Sequence, residues 1–257
     1  MGFLRQFSLA VQFLTILPVP AEVREENDLA RSMIFYPLVG LIIGGITVLV
    51  YQSALHFFNW PLSLVIAFIS TILLTGGLHI DGFADMCDGF YAGKDKAQIL
   101  TIMKDSHIGT MAVLGIFCLL LFKLALLAAL LRKEKLILAF LIVPSISRWV
   151  MTVLAGRYPY ARIEGGTAKS FVENAGSTEI LFATLIILAI AFFLAGFGGV
   201  LLCLMALAAA ALFMQRVNRK IDGITGDVLG GMNEIAEITA LLVLNLAPQF
   251  FEARWMN

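Results

Sequence analysis

Runs of about twenty mostly apolar residues, separated by shorter polar stretches, dominate the chain from residue 33 onward. A helix of that length crosses a hydrocarbon core of ~30 Å. The pattern predicts an all-α, polytopic membrane helix bundle forming one domain over residues 1–257. Seven spans are expected, roughly 33–58, 60–79, 109–131, 135–154, 179–196, 197–214 and 232–248. The last is the weakest, because Asn233, Glu234 and Glu237 occupy its opening turns. The N-terminal apolar stretch ends at Pro18 and Pro20, which suits a short interfacial or re-entrant helix. It carries one Arg, is interrupted by Gln12, and is followed by no small-residue cleavage site, so it does not read as a signal peptide.

Composition agrees with a membrane class: 60% of residues are hydrophobic and only 14% charged. Net charge is zero, which gives no footing to nucleic-acid binding. The three cysteines, Cys87, Cys118 and Cys203, are too far apart for a thiolate cluster. Polar residues gather instead at 18–32, 80–108, 155–178 and 215–231. With the N-terminus inside, twelve Lys and Arg residues fall on the cytoplasmic side and four on the other. That predicts a protein of the bacterial cytoplasmic membrane with every polar loop of interest facing the cytoplasm. Polarity on one side favours a surface enzyme over a transporter, which would place polar groups at midplane.

The stretch "GGLHIDGFADMCDGF", residues 76–90, carries Asp81, Asp85 and Asp88 at helical spacing, within about 60° of one another on one face. Three such carboxylates raise one another's pKa unless compensated. Oxygen ligands without nitrogen or sulfur suit Mg²⁺ or Mn²⁺, and Mg²⁺ commonly completes its shell with phosphate oxygens. These three are the expected metal ligands, the bland alternative being an acid-rich helix start. His79 beside them is either a substrate contact or structural. In "TIMKDSHIGT", Lys104 is a phosphate-binding charge, Asp105 a further ligand or a base, and Ser106 a substrate contact, although Asp105 or Ser106 would also cap the next helix. In "RKIDGITGDVLGGMNEIAEI", Asp227 is the expected second metal-facing carboxylate, and Asn233 and Glu234 substrate contacts. Glu234 and Glu237 share a helical face at a span mouth, where acids are costly unless paired. Arg148 either snorkels or holds an anion in the site. Arg157 and Arg162 are candidates for phosphate, and Lys123, mid-span, has no role the sequence assigns.

Together "FLTILPVP", "FYPLVGLIIGG", "GGLHIDGFADMCDGF", "IMKDSHIGTMAVL", "SRW" and "DGITGDVLGGMNEIAE" resemble the cobalamin-5′-phosphate synthases, or adenosylcobinamide-GDP ribazoletransferases. The resemblance runs in order over residues 13–237. It implies a Mg²⁺-dependent integral membrane transferase that joins adenosylcobinamide-GDP to α-ribazole 5′-phosphate (or α-ribazole) and releases GMP. Asp81, Asp85 and Asp88 match its acidic motif, and Lys104, Asp105 and Ser106 its second motif. Ile16 stands where that family often has Arg. The implied partners are these substrates and the lipid bilayer, with a homo-oligomer or association with other corrinoid-assembly enzymes left open. A CDP-alcohol phosphotransferase fits less well: Asp85, Asp88 and Gly89 match the start of its pattern, but Ala92-Gly93 replaces Ala-Arg and the second half is missing. A prenyltransferase-like enzyme and a cation transporter are weaker still.

Overall fold

The structure is a computed structural model that describes residues 2–25, 27–130, 132–162, 165–166, 168–247 and 251. The helices run in the order α1 (Gly2–Leu14), α2 (Asp28–Ser32), α3 (Tyr36–Ala54), α4 (Trp60–Leu74), α5 (Leu78–Ala92), α6 (Lys96–Ile102), α7 (Thr110–Ala129), α8 (Lys133–Ala155), α9 (Lys169–Asn174), α10 (Ser177–Ile221) and α11 (Gly226–Leu246). No strand is present among the described residues, only one isolated bridge between Tyr160 and Ile224. This is the all-α bundle expected.

Helix length and composition do not confirm the expected count of seven. Four stretches are long and apolar enough to cross a membrane: Asp28–Ala54, α7, α8 and α10. A fifth is added if α4 and α5, bent by 81°, are counted as one broken span. The bend falls at Gly76 and Gly77, both at positive φ (60° and 70°), which ends α4 after fifteen residues. The predicted spans 179–196 and 197–214 correspond to two helices within α10 that meet at Gly196 (φ 60°, ψ −141°). At that break the chain folds back, because Gly199 lies against the backbone of Ala191, eight residues earlier. In a straight helix those residues would be roughly 12 Å apart along the axis. The predicted span 232–248 lies largely within α11, which carries three acids and is not among the membrane-length apolar helices. Its end at 248, and Arg254 of the charge count, lie outside the described residues. At thirteen residues α1 is too short to cross.

Helix α8 is the axis of the bundle. Nearly its whole length is buried, against α3, α10 and α11. The lipid-facing character goes to its neighbours: Phe117 and Leu121 on α7 and Phe193 and Phe197 on α10 are exposed large apolar residues. Such exposure is unfavourable in water and suits hydrocarbon. Helices α5 and α11 pack closely, with Gly82 of α5 so near the Asp227 backbone of α11 that an added Cβ would stand 2.8 Å from its carbonyl oxygen. That contact sets two acid-bearing helices side by side.

Candidate active site

Asp81 and Asp85 leave α5 toward an open cleft of about 850 Å³, whose other walls include Lys104, Asp105, Ser106 and His107. An adjoining open space of about 880 Å³ shares Lys104 and Asp105 and adds Lys96 and Arg162. Asp227, in the first turn of α11, stands close enough to Asp81 and Asp85 for the three carboxylates to repel one another. One guanidinium compensates them. Arg162 donates to Oδ2 of Asp227 at 2.7 Å, where the Thr225 hydroxyl also approaches at 3.3 Å. The aim of Arg162 follows from a short pairing of extended backbone: Ala161 N–H donates to Ile224 O, and Ile224 N–H to Pro159 O. Thr225 then caps α11 by accepting from Val228 N–H.

Asp88 sits differently from the other two aspartates of its motif. Its oxygens accept the N–H groups of Gly109 (2.6 Å) and Ala112 (2.8 Å), so it caps α7 from across the loop. A carboxylate at a helix N-terminus is favoured by the exposed amides and the helix dipole. Each oxygen thus gives one lone pair to an amide, which leaves Asp88 fewer sites for an ion than a free carboxylate has. Among the described residues no three acidic, His or Cys side chains form a ready-made chelate. The donor set that fits a hard cation in kind is Asp81 and Asp85 with Asp227 opposite: oxygens only, and an excess of negative charge.

Asp105 and His107 form an exposed pair, Oδ1 to Nδ1 at 2.6 Å, with the His107 N–H donating to the same oxygen at 3.0 Å. The His107 side chain holds the Asp105 carboxyl below its ordinary range, and Asp105 raises His107. Asp105 does not cap the next helix. Gly109 holds that position and Asp88 supplies the oxygens.

Four expected site residues lie elsewhere. Arg148, Asn233 and Glu234 were expected to face substrate, and the structure buries all three in the bundle, at 2%, 0% and 3% exposure. Lys123 of α7 donates to Glu234 at 2.7 Å and to Glu237 at 2.5 Å. Arg148 pairs with Glu237, which also accepts from Ser147 at 3.1 Å. Asn233 donates to both glutamates. Two cations thus meet two anions in a medium where an unpaired charge would be prohibitive. Lys123 and Glu237 are the members that had no assigned role; the cue for Lys123 was its mid-span charge. Arg157 is exposed beyond the end of α8 and lines neither open space. His79 is buried at 2%, between this ion network and the aspartates, with Nε2 lacking a partner.

Fold and site together define a membrane helix bundle whose acidic centre opens into a lysine- and arginine-bearing cleft, a combination suited to phosphate chemistry at the bilayer edge. The cobalamin-5-phosphate synthase family model matches residues 6–245. The adenosylcobinamide-GDP ribazoletransferase of Clostridium novyi is 36% identical over 242 residues, covering 94% of this chain and 96% of its own. That of Chlorobaculum tepidum is 39% identical over 244 residues, 92% of this chain and 93% of its own. No solved structure matches. The chain belongs to the cobalamin-5-phosphate synthase family, and so is a transferase of cobalamin biosynthesis, as its motifs led one to expect.

Proposed function

We propose that this enzyme joins adenosylcobinamide-GDP to α-ribazole 5′-phosphate, or to α-ribazole, with Mg²⁺, giving adenosylcobalamin 5′-phosphate (or adenosylcobalamin) and GMP. The observation that carries the proposal is the grouping of Asp81, Asp85 and Asp227, from two helices, beside adjoining open spaces lined by Lys96, Lys104 and Arg162: Asp81 and Asp85 line the cleft, and Asp227 is paired with Arg162. The names of the relatives supply the donor and acceptor.

In this reading Lys104 and Arg162 attract the donor's diphosphate, and Ser106 offers it a hydroxyl. A ribose hydroxyl oxygen of the acceptor bonds to the phosphorus bearing cobinamide. The bond from that phosphorus to the oxygen of GMP breaks, and GMP leaves with the electron pair. The hydroxyl proton passes to a carboxylate. Both Asp227 and Asp105 are already paired, with Arg162 and His107, but Asp227 is the less exposed and stands beside Asp81 and Asp85, which favours it as the acceptor. Positioning and charge neutralisation carry such a transfer more than covalent help does. Asp81 and Asp85 would hold Mg²⁺, which when bound supplies positive charge to the diphosphate and the departing GMP. The excess of lysine and arginine on the loops that bear these residues supports a site at the cytoplasmic face of the inner membrane.

The test is GMP release from both substrates by the purified protein in lipid nanodiscs, with Mg²⁺ and with chelator. Release that requires Mg²⁺ and both substrates is expected. Undiminished release in chelator would remove the metal, and no release from folded protein would remove the reaction.

A further inference from the structure

A second, enclosed space of about 180 Å³ lies against the same carboxylates. Asp81, Phe13 and Leu78 line both it and the open cleft, and Asp227 lines its inner side. The acids therefore stand at a doorway between two chambers, as a two-substrate transfer requires. The chambers differ in chemistry. The open one carries lysines, whereas no Lys or Arg lines the enclosed one.

Its walls are aromatic and apolar. Phe13 and Tyr36 are nearly parallel (14°) with centroids 6.4 Å apart, and Phe171 meets Phe13 at 4.4 Å. Met33, Met151 and Leu229 complete the surface. Beside the carboxylates of Asp81 and Asp227, the Tyr36 hydroxyl and the His79 ring interrupt it. The hydroxyl of Tyr36, a residue 1% exposed, has the Ser32 hydroxyl beside it, whose own proton goes to Leu29 O. His79, which also lines the space, has Nε2 unsatisfied. Buried polar atoms without partners are costly, so their presence in a cavity marks a place where a ligand supplies the partner. Flat walls select a flat ring, and the unpartnered His79 nitrogen selects one that carries ring nitrogens. A phosphate is excluded by the absence of a cation, and a corrinoid by the volume.

We infer that this pocket seats the flat heteroaromatic base of the acceptor nucleoside, leaving its ribose hydroxyls at the doorway beside Asp81 and Asp227. The inference rests on the transferase reading above and adds to it the place where the acceptor is recognised.

Binding of α-ribazole to the nanodisc-embedded protein is measured by calorimetry for the parent, Tyr36→Phe and Ala168→Leu, the last projecting bulk into the pocket. GMP release is followed in parallel with the free base of α-ribazole as inhibitor. Ala168→Leu should raise the acceptor's Kd and KM by about tenfold or more, and Tyr36→Phe by about threefold to tenfold, the range one lost hydrogen bond gives. The KM of adenosylcobinamide-GDP should stay unchanged in both. The free base should compete with the acceptor and not with the donor. Tyr36→Phe keeps the ring, so a folded variant is available even if Ala168→Leu disturbs packing. Competition with the donor would mean that the pocket takes its guanine, and unchanged acceptor Kd in a folded variant would mean a space filled by lipid; either overturns the inference. A parent protein that binds α-ribazole with the predicted variant effects but releases no GMP would refute the reaction and uphold the pocket. A parent that binds no α-ribazole refutes the pocket.

Discussion

Helix α11 takes part in two collections of charge that are built on opposite terms. Deep in the bundle, Glu234 and Glu237 meet Lys123 and Arg148, two anions against two cations, with Ser147 donating to Glu237 and Asn233 to both glutamates. Two turns earlier on the same helix, Asp227 faces Asp81 and Asp85, and among the described residues Arg162 is the guanidinium paired with the group. The first set is electrically balanced, with Nε of Arg148 and Oδ1 of Asn233 left without partners beside a small cavity of about 50 Å³. The second is open to a cleft and short of positive charge. Carboxylates that are already paired hold helices together, and those left in excess are available to a cation or a proton.

Breaking the buried set should have the largest effect. Glu237→Ala leaves Arg148 without its carboxylate, and a loss of about 3–5 kcal/mol in stability is expected, read as a large fall in the thermal midpoint in detergent or nanodiscs. The double variant Lys123→Met, Glu234→Gln keeps the Arg148–Glu237 pair and removes one charge of each sign, so it should lose much less than either single change. Asp85→Asn is expected to act in the opposite sense: GMP release should fall by about 10²-fold while the thermal midpoint holds or rises, since a repelling charge has gone. Asp88 sharpens the contrast within one motif. Asp88→Ala should cost about 1 kcal/mol as a lost helix cap, and GMP release should stay within about tenfold of the parent.

These aspartates also show how far the sequence could be read. Helical spacing put Asp81 and Asp85 on one face, and both line the cleft. The same spacing placed Asp88 with them. Spacing on one helix cannot reveal that the chain returns 21 residues later and presents bare amides to that carboxylate. The all-α class and the break near residue 196 were legible because apolar length and glycine are local signals. The partners of Lys123 lie 111 and 114 residues away, and no periodicity connects them. Arg148 looked like an anion-holding residue for a sound reason, since a buried arginine must face an anion; the anion turned out to be Glu237. Tyr36, inside the apolar "FYPLVG" run, carried no signal of its own, because only the fold sets it opposite Phe13 and Phe171.

The smallest effect concerns the Asp105–His107 pair. The folded pKa of His107 is raised, so the pair is strongest below the ordinary histidine range and weakens as pH climbs through the raised value. An NMR titration should find His107 above its usual pKa, and Asp105→Asn should bring it back down. Both side chains are exposed, so unfolding should hardly register the change.

The most direct test of the division between paired and unpaired carboxylates is GMP release by Asp85→Asn beside Asp88→Asn, each assayed with Mg²⁺ and both substrates on protein of verified fold. Loss of turnover in Asp85→Asn with most of it kept in Asp88→Asn is the predicted result. Equal loss in both, or retention in Asp85→Asn, would contradict it.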